Sequence, residues 1–147
     1  MNSAELYDKD FYAWTVEMAQ ALKSKTFDQL DLKHLEEEIL IMGAREKSEL
    51  RSRLKRILQH LLKWEYQPNF RSVSWEVTLS NQRLELFALL EDNPSLRQKI
   101  EGMIPMAYKQ AVGEARSETG LSKSVFPGEN PYSITQILDD SFFPKKN

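Results

Sequence analysis

Apolar residues return every three or four positions along most of the chain, and the segments where they do so mark the helices that the sequence predicts. Over residues 6–23 the recurring set is Leu6, Tyr7, Phe11, Trp14, Met18, Ala21 and Leu22, gathered on one side of a helix. Phe27 and Leu30 close the turn after it. Asp31 stands where an N-cap is needed, because its carboxylate can accept an orphan amide proton of the next first turn, and Glu36, Glu37 and Glu38 suit the early part of that helix. Leu32, Leu35, Ile39 and Met42 form its stripe, with Gly43 as a stop or kink. The longest pattern follows: Leu50, Leu54, Ile57, Leu58, Leu61, Leu62 and Trp64 repeat up to Pro68, and a helix over 44–66 would be about 34 Å long.

Ser72 or Ser74 caps the next predicted helix, whose buried side is Trp75, Leu79, Gln82, Leu86, Leu89 and Leu90. Pro94 suits the first turn of another, with Leu96, Ile100, Met103, Ala107, Ala111 and Ala115 inward and Pro105 kinking it. The stretch "ETGLSKSVFPGENP" reads as loop, with Gly120 as a C-terminal cap. Ser133 then starts a short helix through Ile134, Ile137 and Leu138, and Phe142 and Phe143 pack as a tail. No segment alternates apolar and polar as a half-buried strand would. The expected fold is therefore all-α: one domain over 1–147, a bundle of about five main helices, mostly antiparallel, with a short C-terminal helix and tail.

Charge sharpens this picture more than composition does. The net charge is only -2, yet residues 1–43 hold four Lys and nine Asp/Glu, a net -5, whereas 44–63 hold seven Lys/Arg and two Glu, a net +5. The expectation is that these adjacent segments neutralise one another by intramolecular docking. There are no cysteines, which excludes disulfides and thiolate metal sites, and two histidines, His34 and His60, too few for a three-histidine zinc centre in one chain. No cofactor or metal site is expected. The start of the chain lacks a secretory pattern, and no apolar run nears the roughly 20 residues that span a bilayer, so the expected setting is cytoplasmic and without a membrane.

Three groups of residues are candidates for function. In "RILQHLLKWEYQP" a histidine interrupts the leucines, and steps of seven align His60 with Arg53 and Glu46 as a polar seam. Were the preceding helix to fold back antiparallel, Glu37 or Glu38 would meet Arg53 or His60, so Glu38, Arg53 and His60 are the weak catalytic candidates for a metal-dependent or proton-moving site. The plainer reading, which the sequence favours, is that buried polar groups must be paired and that His60 ties helices in register. His34, in the first turns of its helix, is expected to be exposed.

The second group is the basic helix, where Arg45, Lys47, Arg51, Lys55 and Arg56 can track a phosphate backbone; the alternative is a solvated, internally neutralised face. Third is the corner "KWEYQPNFRSVSWEV", in which Trp64, Tyr66, Arg71 and Trp75 suit either a binding rim or the sealing of a helix-loop-helix junction, with Gln82 and Arg83 lining it or facing solvent. With Arg51 and Lys55, these four make up the candidate binding residues. No nucleophile elbow, phosphate-cradling glycine loop or His-Glu-x-x-His pattern is present.

The motifs "YDKDFYAW", "LEEEILIMGAREKSELRSRL", "HLLKWEYQP", "RSVSWEVTLSNQR", "NPSLR", "ETGL", "FPGENPYS" and "LDDSFFP", in that order, resemble domain of unknown function 29, an uncharacterised bacterial family found largely in photosynthetic bacteria. The resemblance implies a single-domain, mostly helical protein and carries over no catalytic residue. Two positions depart from the family's pattern: Leu40, where a third carboxylate often stands, and Asn130, where a cysteine often precedes Pro131. The first weakens an acidic metal cluster and the second removes thiol chemistry. The leading expectation is a non-catalytic helical interaction or regulatory module, not an enzyme, acting through a surface formed by the basic helix and the aromatic corner, with a protein partner or a second copy as homodimer. The alternatives are a nucleic-acid-associated protein using 44–63 and a metal-dependent enzyme with a carboxylate/histidine site.

Overall fold

The computed structural model describes residues 1–145. Within them the chain is helical, with no strand, and it forms two compact units, Met1–Arg45 and Glu46–Asn147.

The first unit opens with α1 (Ser3–Lys9) and α2 (Phe11–Ser24). The sequence predicts one helix here, and Asp10 divides it. Its backbone leaves the helical region at φ -149°, its N–H closes α1 on Leu6 O, and its carboxylate accepts the Ala13 amide at 3.0 Å. A short acidic side chain that competes for nearby amides favours such a break. Lys25, left-handed at φ 57°, ends α2, and a 3-10 turn at Phe27–Gln29 leads to α3 (Leu32–Tyr66). Asp31 caps α3 as expected, through the His34 amide at 3.4 Å.

Gly43 neither stops nor breaks α3, which runs for 35 residues. The two helices predicted on either side of it are one. Glycine costs about 1 kcal/mol in a helix interior relative to alanine, too little to interrupt good helix formers on both sides.

In the second unit, the part of α3 beyond Arg45 packs with α4 (Val73–Asp92), α5 (Ile100–Thr119) and the short α6 (Ile134–Leu138). Ser72 caps α4, Ser133 caps α6 in a reciprocal capping box with Gln136, and Gly120 ends α5 at φ 74°. Side-chain pairs give the directions. Arg53 meets Gln82 and Lys63 lies over Trp75, so α3 and α4 are antiparallel. Lys55 meets Glu114 and Gln59 meets Glu118, so α3 and α5 are parallel.

The core joins Leu50, Leu54, Ile57, Leu58, Leu61 and Leu62 of α3 to Leu79, Leu86, Leu89 and Leu90 of α4 and to Ile100, Met103 and Ile104 of α5. Ala107, Ala111 and Ala115 are fully buried, and their small size at four-residue spacing lets α5 approach closely. Residues 94–99 form a 3-10 turn instead of the expected first helical turn, while Pro105 sits within α5 as predicted. Phe142 and Phe143 pack against the core.

Candidate functional site

The catalytic candidates do not converge. Because α3 is continuous through Gly43, the hairpin that would carry Glu38 to Arg53 or His60 does not form, and Glu38 belongs to the first unit while the other two belong to the second. Each has its own partners. Glu38 accepts the Tyr7 hydroxyl at 2.5 Å. Arg53 donates to Gln82 at 3.1 Å and pairs with Glu49 at 3.5 Å, with its Nε buried and unpartnered. His60 is 8% exposed and bonds through Nδ1 to the Arg56 carbonyl, 3.0 Å away.

A carbonyl only accepts, so that nitrogen carries the proton. Burial holds the imidazole below its ordinary pKa, the Arg56 carbonyl opposes this, and Lys63 reinforces it. His60 is thus a neutral side chain bonded within its own helix, not a tie between helices as expected. Among the described residues, no three His, Asp or Glu are grouped as metal ligands.

The polar residues that do assemble in the second unit lie one turn away. Lys63, 8% exposed, pairs with Glu118 at 2.6 Å and sits 4.6 Å above the Trp75 ring. Gln59 donates to the other Glu118 oxygen at 2.7 Å, which leaves Gln59 Oε1 buried without a partner. Partial burial works against the Glu118 charge, but the bonds from Lys63 and Gln59 prevail and hold its carboxyl below the usual range. This is a charge pair held from both sides, suited to fixing α3 against α5.

The aromatic corner is likewise internally engaged. Arg71 donates to the Trp64 carbonyl at 2.8 Å and its guanidinium lies over the Trp64 ring, whose other neighbour is Phe143 at 4.8 Å. Tyr66 packs edge-on to Phe126. Gln82 and Arg83 face inward, and Arg83 has a larger role than the sequence suggested. Its buried guanidinium donates to the carbonyls of Ile137, Gln136 and Phe142 at 2.9 to 3.0 Å, thereby capping α6 and fastening the tail to α4. A single arginine within a leucine pattern gives no local sign of such distant carbonyl partners.

Within the second unit, Lys55 and Lys63 pair with Glu114 and Glu118 of α5. Lys47 and exposed Arg51 line a cleft of 590 Å³ with Lys99, Met103 and Met106, in which no lining residue is acidic. A second cleft, of 720 Å³, runs between α5 and the loop before α6. Tyr108 and Tyr132 line it, but their hydroxyls are committed, to Pro127 O at 2.6 Å and Glu65 at 2.8 Å. Burial lifts the Tyr108 pKa to about 12; burial and the Glu65 carboxylate lift that of Tyr132 further.

The first unit holds what the sequence did not reveal. His34 is half-buried, not exposed: its ring stacks on Tyr7 at 3.9 Å, and Nδ1 lies 2.6 Å from Asp31. Asp31 also accepts the Trp14 indole at 3.1 Å. Its partial burial opposes ionisation, yet the bonds from His34 and Trp14 lower its pKa. The spacing of Asp31 and His34 was a local clue; the Tyr7 and Glu38 contact was not.

The predicted stripe of this part of α3 is largely uncovered. Leu32, Ile39 and Met42 are 69%, 63% and 62% exposed. Leu40 and Ile41 are exposed as well, so the whole turn 39–42 is apolar and open to solvent.

With helices and no strand among the described residues, this is an all-α protein. It belongs to the family described as domain of unknown function DUF29, whose model matches residues 6–143, nearly the whole chain. No curated protein and no solved structure matches it. No described helix is long and apolar enough to cross a membrane.

Proposed function

We propose that this protein is a non-catalytic interaction module whose contact surface is the exposed turn 39–42 of α3. The observation that carries this reading is the exposure of four consecutive apolar residues, Ile39, Leu40, Ile41 and Met42. Steps of 100° send them in all directions around the helix, and a helix apolar all round is ordinarily buried. The candidate binding residues Trp64, Tyr66, Trp75 and Lys55 are half-buried in the second unit, with Phe143, Phe126, Lys63 and Glu114 beside them. Both units belong to the proposed module, as the reach of the family model suggests.

The test is the size of the tagged full chain in a soluble extract of its producing cells. Wild type elutes above monomer size, whereas Ile39→Glu with Met42→Glu elutes as monomer. Equal elution of both at monomer size would remove the reading.

The cationic cleft of Lys47, Arg51 and Lys99 supports a second reading, contact with a nucleic-acid backbone. It calls for binding of a labelled duplex or single strand that weakens steeply with salt and is lost in Lys47→Glu with Arg51→Glu. Lys55, paired with Glu114, is the poorer choice for that test.

A further inference from the structure

We propose that the cleft between α3 and the start of α5 binds a small diphosphate-bearing ligand, gripped by Lys47, Arg51 and Lys99. The proposal is independent of the exposed turn 39–42, and it gives the cationic cleft a different occupant from the polymer of the second reading. All the residues involved belong to the second unit.

The seam between α3 and α5 shows what the cleft lacks. Lys55 meets Glu114 and Gln59 meets Glu118, each pair 59 positions apart in sequence. One and two turns earlier on these parallel helices, the same offset sets Arg51 against Gln110 and Lys47 against Met106, and all four line the cleft. The acids that match the cations further along are replaced here by neutral side chains. Lys99 adds a third positive charge, and none of the three makes an ion pair among the described residues. Lys47 and Arg51 also stand four positions apart on α3, a like-charge spacing that opposes the helix and that a bound anion relieves.

Size and charge select the ligand. The cleft holds 590 Å³, within the roughly 300–1,000 Å³ of small-molecule sites. A single phosphoryl group carries about -1.5 to -2 charge at neutral pH and cannot match three cations; a second phosphoryl supplies the rest. Arg51 offers a planar fork suited to phosphoryl oxygens, and the two lysines act as point charges. Met103 and Met106 give the cleft an apolar part, on which the organic group of such a ligand rests. A long polyanion fits less well, because its phosphates extend over a chain whose net charge is -2. A small anion is screened from charges more than about 10 Å away at 0.1 M salt.

The experiment is equilibrium dialysis of the purified full chain against labelled inorganic pyrophosphate in about 0.1 M sodium chloride, with the folding of each variant checked by circular dichroism. Wild type is expected to bind one equivalent. Arg51→Gln and Lys99→Gln each weaken binding by about tenfold or more, whereas Lys23→Gln, in α2, leaves it unchanged. Gly102→Leu keeps every charge but adds a side chain to the cleft wall, where a Cβ has nothing within 4 Å, and it too abolishes binding. Absence of saturable binding to wild type overturns the proposal. So does binding that falls equally in Lys23→Gln or survives Gly102→Leu, since either describes diffuse charge and not a built cleft. A labelled single strand or duplex that binds at least about tenfold tighter than pyrophosphate and tolerates Gly102→Leu also overturns it, and leaves the nucleic-acid reading standing. If neither pyrophosphate nor nucleic acid binds, both fall.

Discussion

At the scale of single residues, His60 and Arg83 show why a polar group in an apolar stripe has no fixed meaning. Both interrupt leucine patterns. His60 is neutral because burial disfavours its charged form, and its Nδ1 bond closes on its own helix. With its folded pKa below the ordinary 6.5, the unfolded chain binds the extra proton first as pH falls, so stability must drop as pH descends through about 6.5. His60→Leu should remove that part of the pH dependence while keeping the fold; His60→Ala should remove it too but cost roughly 1–3 kcal/mol more, through the void. Denaturation midpoints between pH 5 and 8 for the three proteins are the check.

Arg83 remains charged and satisfies three carbonyls. Arg83→Ala is expected to cost about 2–4 kcal/mol and to make the segment after Gly120 sensitive to protease, since those carbonyls lose charged donors. The leucines around either residue are alike, and only the partner distant in sequence separates the two roles.

At the scale of elements, local rules were legible wherever the deciding atoms lie within a few positions. Asp31, Ser72, Ser133 and Gly120 cap as their chemistry dictates, and the inward faces of α4 and α5 follow their apolar spacing. The errors came where two local preferences compete. Asp10 won a break that the apolar spacing over 6–23 concealed, and Gly43 lost one to the helix formers flanking it. Periodicity also marks a face as apolar without saying what covers it. The spacing of Leu35, Ile39 and Met42 matches that of Leu50, Leu54 and Ile57, yet only the second set is buried.

Since nothing lies within 4 Å of a Cβ placed on Gly43, Gly43→Ala should raise stability by about 1 kcal/mol and increase helical circular dichroism. A loss of stability would mean that the backbone there is not helical.

At the scale of the whole molecule, net charge was a poor guide to electrostatics. The sequence sets -5 and +5 segments side by side, and the ion pairs that the basic segment makes within its own unit run to Glu114, Glu118 and Glu49. Ile39, Leu40, Ile41 and Met42 stand exposed on consecutive positions of α3, and the proposed function in association rests on them. All of it depends on α3 passing unbroken through Gly43, since a hairpin there would hide the turn and revive the Glu38 and His60 site. Amide hydrogen exchange, resolved by residue, tests this directly. An unbroken helix bonds the amides of residues 43–47 to the carbonyls of 39–43, so these protons should exchange as slowly as those on either side. Rapid exchange confined to 43–47 would contradict it.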